Sequence, residues 1–125
     1  HHLHGVGWRA PWRVESIAET TATLAFDWPG GEWPWPFAAR QTLALDDAGL
    51  AIALTVRNTG AEPMPAGLGL HPFYPCPPGT VLDANVREVF PVDETLFPTG
   101  REPATGRYDL RQRVISGAGL DNGYG

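Results

Sequence analysis

The sequence predicts an all-β protein whose sheets are antiparallel and pack as a β-sandwich. The first observation is a set of segments in which apolar residues alternate with polar or small ones, which is the period of half-buried strands. The second is that 13 prolines and 15 glycines punctuate the chain, and the segments between them are joined by short connections. The third is that no window of about 12 residues carries the 3.6-residue stripe of an amphipathic helix. Short strands joined by short connections favour a sandwich over an α/β fold.

The alternation is clearest in three segments of the amino-terminal half. In 20–27, one face carries apolar side chains and the other carries threonines and an aspartate. Segments 37–45 and 50–57 alternate in the same way and are joined by Asp-Asp-Ala-Gly, in which Gly49 can adopt a positive φ. We therefore predict a β-hairpin over 37–57.

The pattern is weaker after residue 76, where prolines and glycines interrupt it. The segment 81–93 (VLDANVREVFPVD) is expected to contain one or two further strands, and 96–110 (LFPTGREPATGRYDL) is expected to be a loop. We find no internal repeat and no interdomain linker, so 125 residues predict a single domain or part of one.

Composition and charge exclude several classes of function. The formal net charge is −5, and all nine basic residues are scattered arginines, which argues against a nucleic-acid partner. The lack of lysine excludes a Schiff-base or phosphate-loop lysine within these residues. No stretch approaches the roughly 20 apolar residues of a membrane helix, so no membrane partner is expected. A single cysteine, Cys76, cannot form an internal disulfide, which favours the cytoplasm.

Histidine is the residue type with the clearest chemical potential in this sequence. His71 lies within the apolar, glycine-spaced run AGLGLHPFYP, and from these residues alone a buried histidine with one hydrogen bond is the favoured interpretation. The other three histidines are packed into HHLHGVGWRAPW. His2 and His4 would share one face of a strand and could ligate a metal ion. No cysteine or carboxylate partner stands at metal-site spacing, so we expect no metal.

Two further kinds of residue could contact a sugar. Trp8 follows a Gly-Val-Gly turn, and indoles stack on the C–H faces of sugar rings, although core packing is the alternative for any single tryptophan. Asp121 could accept hydrogen bonds from ligand hydroxyls, although Asp121-Asn122 alone is a turn signal.

Three motifs in this order resemble the aldose 1-epimerase (galactose mutarotase) family. They are Leu-His-Gly at 3–5, the block at 30–75 that ends in His-Pro-Phe-Tyr-Pro, and Leu-Asp-Asn at the start of 120–125. The resemblance implies an antiparallel β-sandwich of the galactose mutarotase-like (supersandwich) type. Because family members are considerably longer, it also implies that residues 1–125 are the central fragment of a single sugar-epimerase domain.

The resemblance also implies roles for individual residues. His71 matches the histidine that acts as general acid toward the sugar ring oxygen, and His4 matches the second histidine, which hydrogen-bonds the substrate. Asp121 matches the aspartate that binds sugar hydroxyls. Independently of the resemblance, Trp8 is expected to stack on the sugar, and Phe73 or Tyr74 to line its pocket or limit the access of water. The family's general base, a glutamate well beyond Asp121, has no counterpart in these residues.

The implied activity is the cofactor-independent interconversion of α and β anomers of an aldohexose such as galactose or glucose. The best-known members carry Asn-His-Ser-Tyr-Phe where this chain has Leu-His-Pro-Phe-Tyr at 70–74, which leaves the sugar open. Two alternatives remain open as well. One is a non-catalytic carbohydrate-binding protein on the same fold. The other is a hexose-phosphate epimerase, which would require Arg9, Arg13 and Arg40 to converge on a phosphate.

Pro72 restricts the residue before it to extended backbone conformations, so His71 is expected to have a strand-like geometry.

Overall fold

The structure, a computed structural model, describes residues 4–125. The chain forms two compact units, one ending at His71 and the other running from Pro72 to Gly125, and each is described by itself. Every strand pair is antiparallel, and the described part of the chain contains two short 3-10 turns but no α-helix. The predicted all-β, antiparallel class is therefore confirmed. No helix within residues 4–125 is long and apolar enough to cross a membrane.

The first unit is built on one four-stranded antiparallel sheet in which the strands follow their order in the chain. A 3-10 turn, Val6–Trp8, precedes this sheet. The strands are β1 (Arg13–Ile17), β2 (Thr21–Trp28), β3 (Phe37–Asp46) and β4 (Gly49–Asn58).

The hairpin predicted over 37–57 is confirmed, since β3 and β4 pair without interruption from Phe37 opposite Asn58 to Asp46 opposite Gly49. Gly49 has the expected positive φ, 141°. The carboxylate of Asp46 closes the turn by accepting hydrogen bonds from the backbone N–H groups of Ala48 (2.8 Å) and Gly49 (3.0 Å).

The sequence did not predict strand β1. All five of its residues are exposed, so the segment lacks the alternation that marks a half-buried strand. Its pairing with β2 also shifts register between Val14 and Ser16, which breaks the period of two at Glu15. Backbone pairing to β2, rather than an apolar face, defines this strand.

One face of the sheet is apolar, and only one end of that face is covered. Phe26, Phe37 and Ala39 are buried there, packed by partly buried side chains: Val6, Ala10, Trp12, Trp28, Trp33, Val56 and Met64. Each large apolar side chain removed from water contributes about 1.5–3 kcal/mol. At the other end of this face, Leu45 and Leu50 remain more than half exposed. The core therefore lies at the end of the sheet that adjoins the Val6–Trp8 turn.

The second unit contains two small sheets. In the first, β5 (Val81–Leu82) pairs with β8 (Arg113–Val114). In the second, β6 lies between β7 and β9, and these strands span Glu88–Phe90, Glu102–Pro103 and Gly123–Tyr124. Val89, in the middle of β6, is completely buried.

Both predictions for the second unit can be compared with these strands. The expectation of one or two strands within 81–93 is confirmed by β5 and β6. The segment 96–110 was expected to be a loop, but it contains the short strand β7 and a 3-10 turn, Gly106–Tyr108. Glu102 and Pro103 pair with β6 over only two residues, which is too short for a detectable sequence period.

The turn between β3 and β4 gives a first testable prediction. Asp46→Ala should lower the free energy of unfolding by about 0.5–1.5 kcal/mol for each hydrogen bond that it removes from the turn. Asp47→Ala is the matched control, because Asp47 is also exposed in the same turn and makes neither bond. Urea unfolding of the two variants beside the unaltered protein measures the difference, and equal midpoints for the two variants would contradict the assignment.

Candidate functional site

The segment from His4 to Trp12 is a tight turn that leads into the sheet. Gly5 has φ 65° and ψ −176°, a backbone conformation that is essentially restricted to glycine. The 3-10 turn that follows is closed by the N–H groups of Arg9 and Ala10, each of which donates to the Val6 carbonyl at 3.1 Å. Val6 packs against the core while Trp8 is 58% exposed, so the turn directs alternate side chains inward and outward.

His4, Trp8 and His71 form an aromatic group that we call the imidazole–indole cluster. The His4 and His71 ring centroids lie 5.1 Å apart with an interplanar angle of 77°. The Trp8 ring lies 5.0 Å from His4 and 6.1 Å from His71. These separations are typical of edge-to-face and tilted aromatic contacts. All three side chains are exposed, so the cluster brings two imidazoles and an indole to one solvent-accessible surface.

Trp12 connects this turn to the hydrophobic core. Its indole Nε1–H donates a hydrogen bond to the Gly7 carbonyl at 3.0 Å, and its ring lies 5.4 Å from Phe26. Gly7 is the residue immediately before Trp8. Sequence reasoning gave Trp12 no role of its own; the available signal was a second tryptophan, preceded by proline, a few residues beyond the Leu-His-Gly motif.

His71 lies in 63–77, a segment without helix or strand. No strand is assigned to this segment within residues 4–125. Pro72 favours an extended backbone at the residue before it, so the strand-like geometry expected for His71 stays a prediction. The interpretation of His71 as a buried core histidine is also wrong, since the residue is exposed. Methyl groups at Gly67 and Gly69 would meet nothing within 4 Å beyond the adjoining chain, so both glycines border open space.

The other two candidate residues belong to the second unit. Phe73 is 78% exposed and Asp121 is exposed. The neighbour of Asp121, Asn122, donates a side-chain hydrogen bond to the Phe90 carbonyl at 3.2 Å, which fixes the chain beside strand β6. The structure thus groups three of the five candidates, His4, Trp8 and His71, within the first unit.

No three histidine, cysteine or acidic side chains lie together in a metal-binding arrangement within residues 4–125. His1 and His2 lie outside the described residues, and so does the alternative in which His2 and His4 bind a metal together.

Two arginines that could have bound a phosphate are already paired with carboxylates on the polar face of the sheet. Arg40 contacts Glu15 with two nitrogens, Nε at 2.6 Å and Nη2 at 2.8 Å. Arg13 contacts Asp27 at 3.0 Å and Glu15 at 3.6 Å. The hydrogen bond from Arg40 lowers the pKa of Glu15, with smaller contributions from the charges of Arg40 and Arg13. The arginines converge, but on two carboxylates that neutralise them.

An open concavity of about 700 Å³ lies beside the His4–Trp12 turn. Its wall includes Gly5, Val6 and Arg9 from the turn, and Phe26, Trp28 and Glu32 from the sheet and the loop that follows β2. Neither imidazole of the cluster forms part of this wall. The imidazole–indole cluster is therefore a surface group that does not line this concavity.

The described residues thus form an antiparallel β-protein in which a turn and an irregular segment bring two exposed imidazoles beside an exposed indole. The chain belongs to the aldose 1-epimerase family, whose model, described as "Aldose 1-epimerase", matches residues 1–124. This membership confirms the resemblance seen in the sequence motifs and assigns the antiparallel sheets to a β-sandwich fold.

Two relatives from Escherichia coli (strain K12) are similar to the chain. The uncharacterized protein YphB is 33% identical over 85 residues, which cover 68% of this chain and 29% of that protein. The uncharacterized protein YihR is 32% identical over 106 residues, which cover 78% of this chain and 33% of that protein. The chain thus spans about a third of the length of these relatives. No solved structure matches it significantly.

The backbone at Gly5 gives a second testable prediction. Gly5→Ala should cost about 1–3 kcal/mol of folding free energy, because a side chain is strained at φ 65° and ψ −176° even though no atom stands in its way. The same substitution should disturb the contact between His4 and Trp8. Unfolding curves measure the first effect, and the ring-current shift of the His4 imidazole protons measures the second.

Gly7→Ala is the matched control for this substitution. Gly7 has no positive φ, and a methyl group there would meet the Trp12 ring at an ordinary contact distance of 3.8 Å. Its stability should be unchanged or raised by about 0.4–1 kcal/mol. Equal losses in Gly5→Ala and Gly7→Ala would show that the backbone conformation of Gly5 is not what the turn requires.

The ion pair of Glu15 gives a third testable prediction, on pH dependence. Because the folded-state pKa of Glu15 is lowered, its contribution to stability is present above the unfolded pKa and is lost as the pH falls through the folded pKa. Arg40→Gln should move the pKa of Glu15 back up, as read from the side-chain carboxyl carbon in an NMR titration. Arg57→Gln, on the same face but without a bond to Glu15, should leave this titration unchanged; an unaltered Glu15 titration in Arg40→Gln would contradict the assignment.

Proposed function

We propose that the protein is an aldose 1-epimerase, a cofactor-independent isomerase that interconverts the α and β anomers of an aldohexose such as glucose or galactose. The contact between the exposed imidazoles of His4 and His71, 5.1 Å apart, is the observation that carries this proposal. Membership of the aldose 1-epimerase family supports it. Because the chain spans about a third of its relatives, the activity is proposed for the protein as a whole.

Anomerisation requires one acid and one base. The base removes the proton of the anomeric hydroxyl while the acid protonates the ring oxygen, and the bond between C1 and the ring oxygen breaks to give the open aldehyde. Rotation about the C1–C2 bond presents the other face of the aldehyde. Reversal of the two proton transfers closes the ring as the other anomer. Protons and electrons balance without any redox partner.

His71 is proposed to be the general acid toward the ring oxygen. Histidine side chains ordinarily titrate close to neutral pH, so an imidazole can both donate and recover a proton within one cycle. His71 is exposed, so a ligand can reach it from solvent. An acid held in this way supplies a rate factor of about 10²–10⁴.

The remaining candidates are proposed to bind and orient the sugar. His4 would donate or accept a hydrogen bond at a hydroxyl beside the ring oxygen, since its ring adjoins that of His71. Trp8 offers a 58% exposed indole to the C–H face of the sugar, next to both imidazoles. Phe73 is proposed as a second apolar contact and Asp121 as an acceptor for sugar hydroxyls. The base is proposed to be a glutamate outside these residues, as the resemblance implies.

We also propose that the substrate is an unphosphorylated sugar. Arg13 and Arg40 are paired with Asp27 and Glu15, so they do not offer a phosphate two unpaired guanidinium groups. The location proposed for this activity is the cytoplasm, on the ground that Cys76 has no cysteine partner within these residues. No nucleic-acid or membrane partner is part of the proposal.

His71→Ala in the full-length protein is the fourth testable prediction. It should lower the rate of anomerisation by about 10²-fold or more, because the proton donor to the ring oxygen is removed. Polarimetry on freshly dissolved α-glucose and α-galactose measures the rate. Cys76→Ala, at an exposed residue of the same irregular segment, is the control and should keep the activity of the unaltered protein.

The same assay separates this proposal from its alternatives. Equal rates in His71→Ala and the unaltered protein would remove the acid assignment. An unaltered protein that binds glucose or galactose in calorimetry but leaves their anomerisation at the solvent rate would be a carbohydrate-binding protein. Activity confined to glucose 6-phosphate would indicate the hexose-phosphate epimerase and would contradict the substrate class proposed here.

A further inference from the structure

We propose that Trp12 is a positioning residue for the imidazole–indole cluster, holding the turn that presents His4 and Trp8 toward His71. Part of this inference rests on the proposed epimerase function, because it predicts an effect on turnover. The geometric part stands on three contacts that join the core to the cluster.

The first contact anchors Trp12 in the core. Its ring lies 5.4 Å from the ring of Phe26, which is 94% removed from solvent and itself meets Phe37 edge-to-face at 5.5 Å. Aromatic pairs of this kind contribute beyond the area that they bury. Trp12 therefore has a fixed orientation, set by side chains of strands β2 and β3.

The second contact is a hydrogen bond that connects Trp12 to the turn. The Trp12 Nε1–H donates to the Gly7 carbonyl at 3.0 Å, across five residues of chain. The flanking glycines, Gly5 and Gly7, contribute no side-chain packing to the turn. Val6 and Ala10 pack against the core, and the hydrogen bond to Gly7 adds a directional link between this turn and the core.

The third contact is the cluster itself. Trp8 follows Gly7 directly, and its ring meets both His4 and His71. A rotation of the Gly7 peptide would move the Trp8 ring, which contacts both imidazoles. Displacements of about 1 Å at an acid or base can cost roughly a hundredfold in rate.

Trp28 provides a matched control within the same core. Its indole Nε1–H also donates to a carbonyl five residues away, that of Trp33 at 2.7 Å, and its ring lies 6.4 Å from Phe26. Both tryptophans are half-buried and pack on the same buried residues. The difference is that the loop held by Trp28 carries no histidine, so loss of its hydrogen bond perturbs the core without touching the cluster.

The experiment compares Trp12→Phe with Trp28→Phe in the full-length protein. Both variants lose one indole hydrogen bond and part of a ring, so their losses of stability should be similar. Trp12→Phe alone should shift the NMR resonances of the His4 and His71 imidazole protons, which lie in the ring current of Trp8. It should also lower kcat about tenfold or more with a much smaller change in KM.

The outcomes are distinct. Imidazole resonances that stay in place in Trp12→Phe, or that move equally in the two variants, overturn the positioning role. Shifted resonances with an unchanged kcat overturn its link to turnover. If the unaltered protein has no epimerase activity, the proposed function fails, and the resonance comparison still decides the positioning role.

A second measurement needs no substitution and tests the positioning role of Trp12 even where Trp12→Phe does not fold. In the unaltered protein, the Trp12 indole proton should exchange slowly with solvent, as should that of Trp28, because both are hydrogen-bonded and half-buried. The 58% exposed indole of Trp8 should exchange fast. Fast exchange at Trp12 would show that its bond to Gly7 does not hold the turn.

Discussion

The packing of Phe26 is the contact on which the first unit depends. Its ring meets Phe37 from the neighbouring strand, Trp28 from its own strand and Trp12 from the segment before the sheet. One buried side chain thus joins the pairing of β2 with β3 to the turn that carries His4 and Trp8. Because aromatic side chains bury large areas and have few rotamers, this junction is stiff as well as stabilising.

The candidate site itself is made by irregular backbone rather than by strands. Gly5 adopts a conformation closed to other residues, and His71 lies in a segment without secondary structure. Loops positioned by a rigid scaffold commonly carry functional residues. Here the indole of Trp12 connects the sheet to the turn. Its rings pack in the core, and its N–H donates a hydrogen bond to a backbone carbonyl of the turn.

The regular parts of the fold were predictable because their side chains alternate. Strands β2 and β3 contain buried apolar residues, and in β4 the half-buried residues Ile52, Leu54 and Val56 alternate with exposed ones, so the period of two is visible. Gly49 marks the turn. Strand β1 was not predictable, since its exposed residues and its bulge leave no period. The proximity of His4 and His71 followed from the family resemblance alone; 66 residues of chain separate them, and no local pattern encodes such a distance. The role of Trp12 was hidden for the same reason, since it depends on a hydrogen bond to a backbone atom.

Because of the bulge in β1, the two edges of the four-stranded sheet differ in the regularity of their backbone. Within the described residues, β1 and β4 are the outermost strands. The bulge at Glu15 increases the twist of edge strand β1 and interrupts its regular series of amide and carbonyl groups. Strand β4 is straight in register over ten residues, so its free side offers an unbroken series of donors and acceptors. A further strand would therefore pair more readily with β4, whose register is regular, than with β1, whose backbone pairing is interrupted by the bulge.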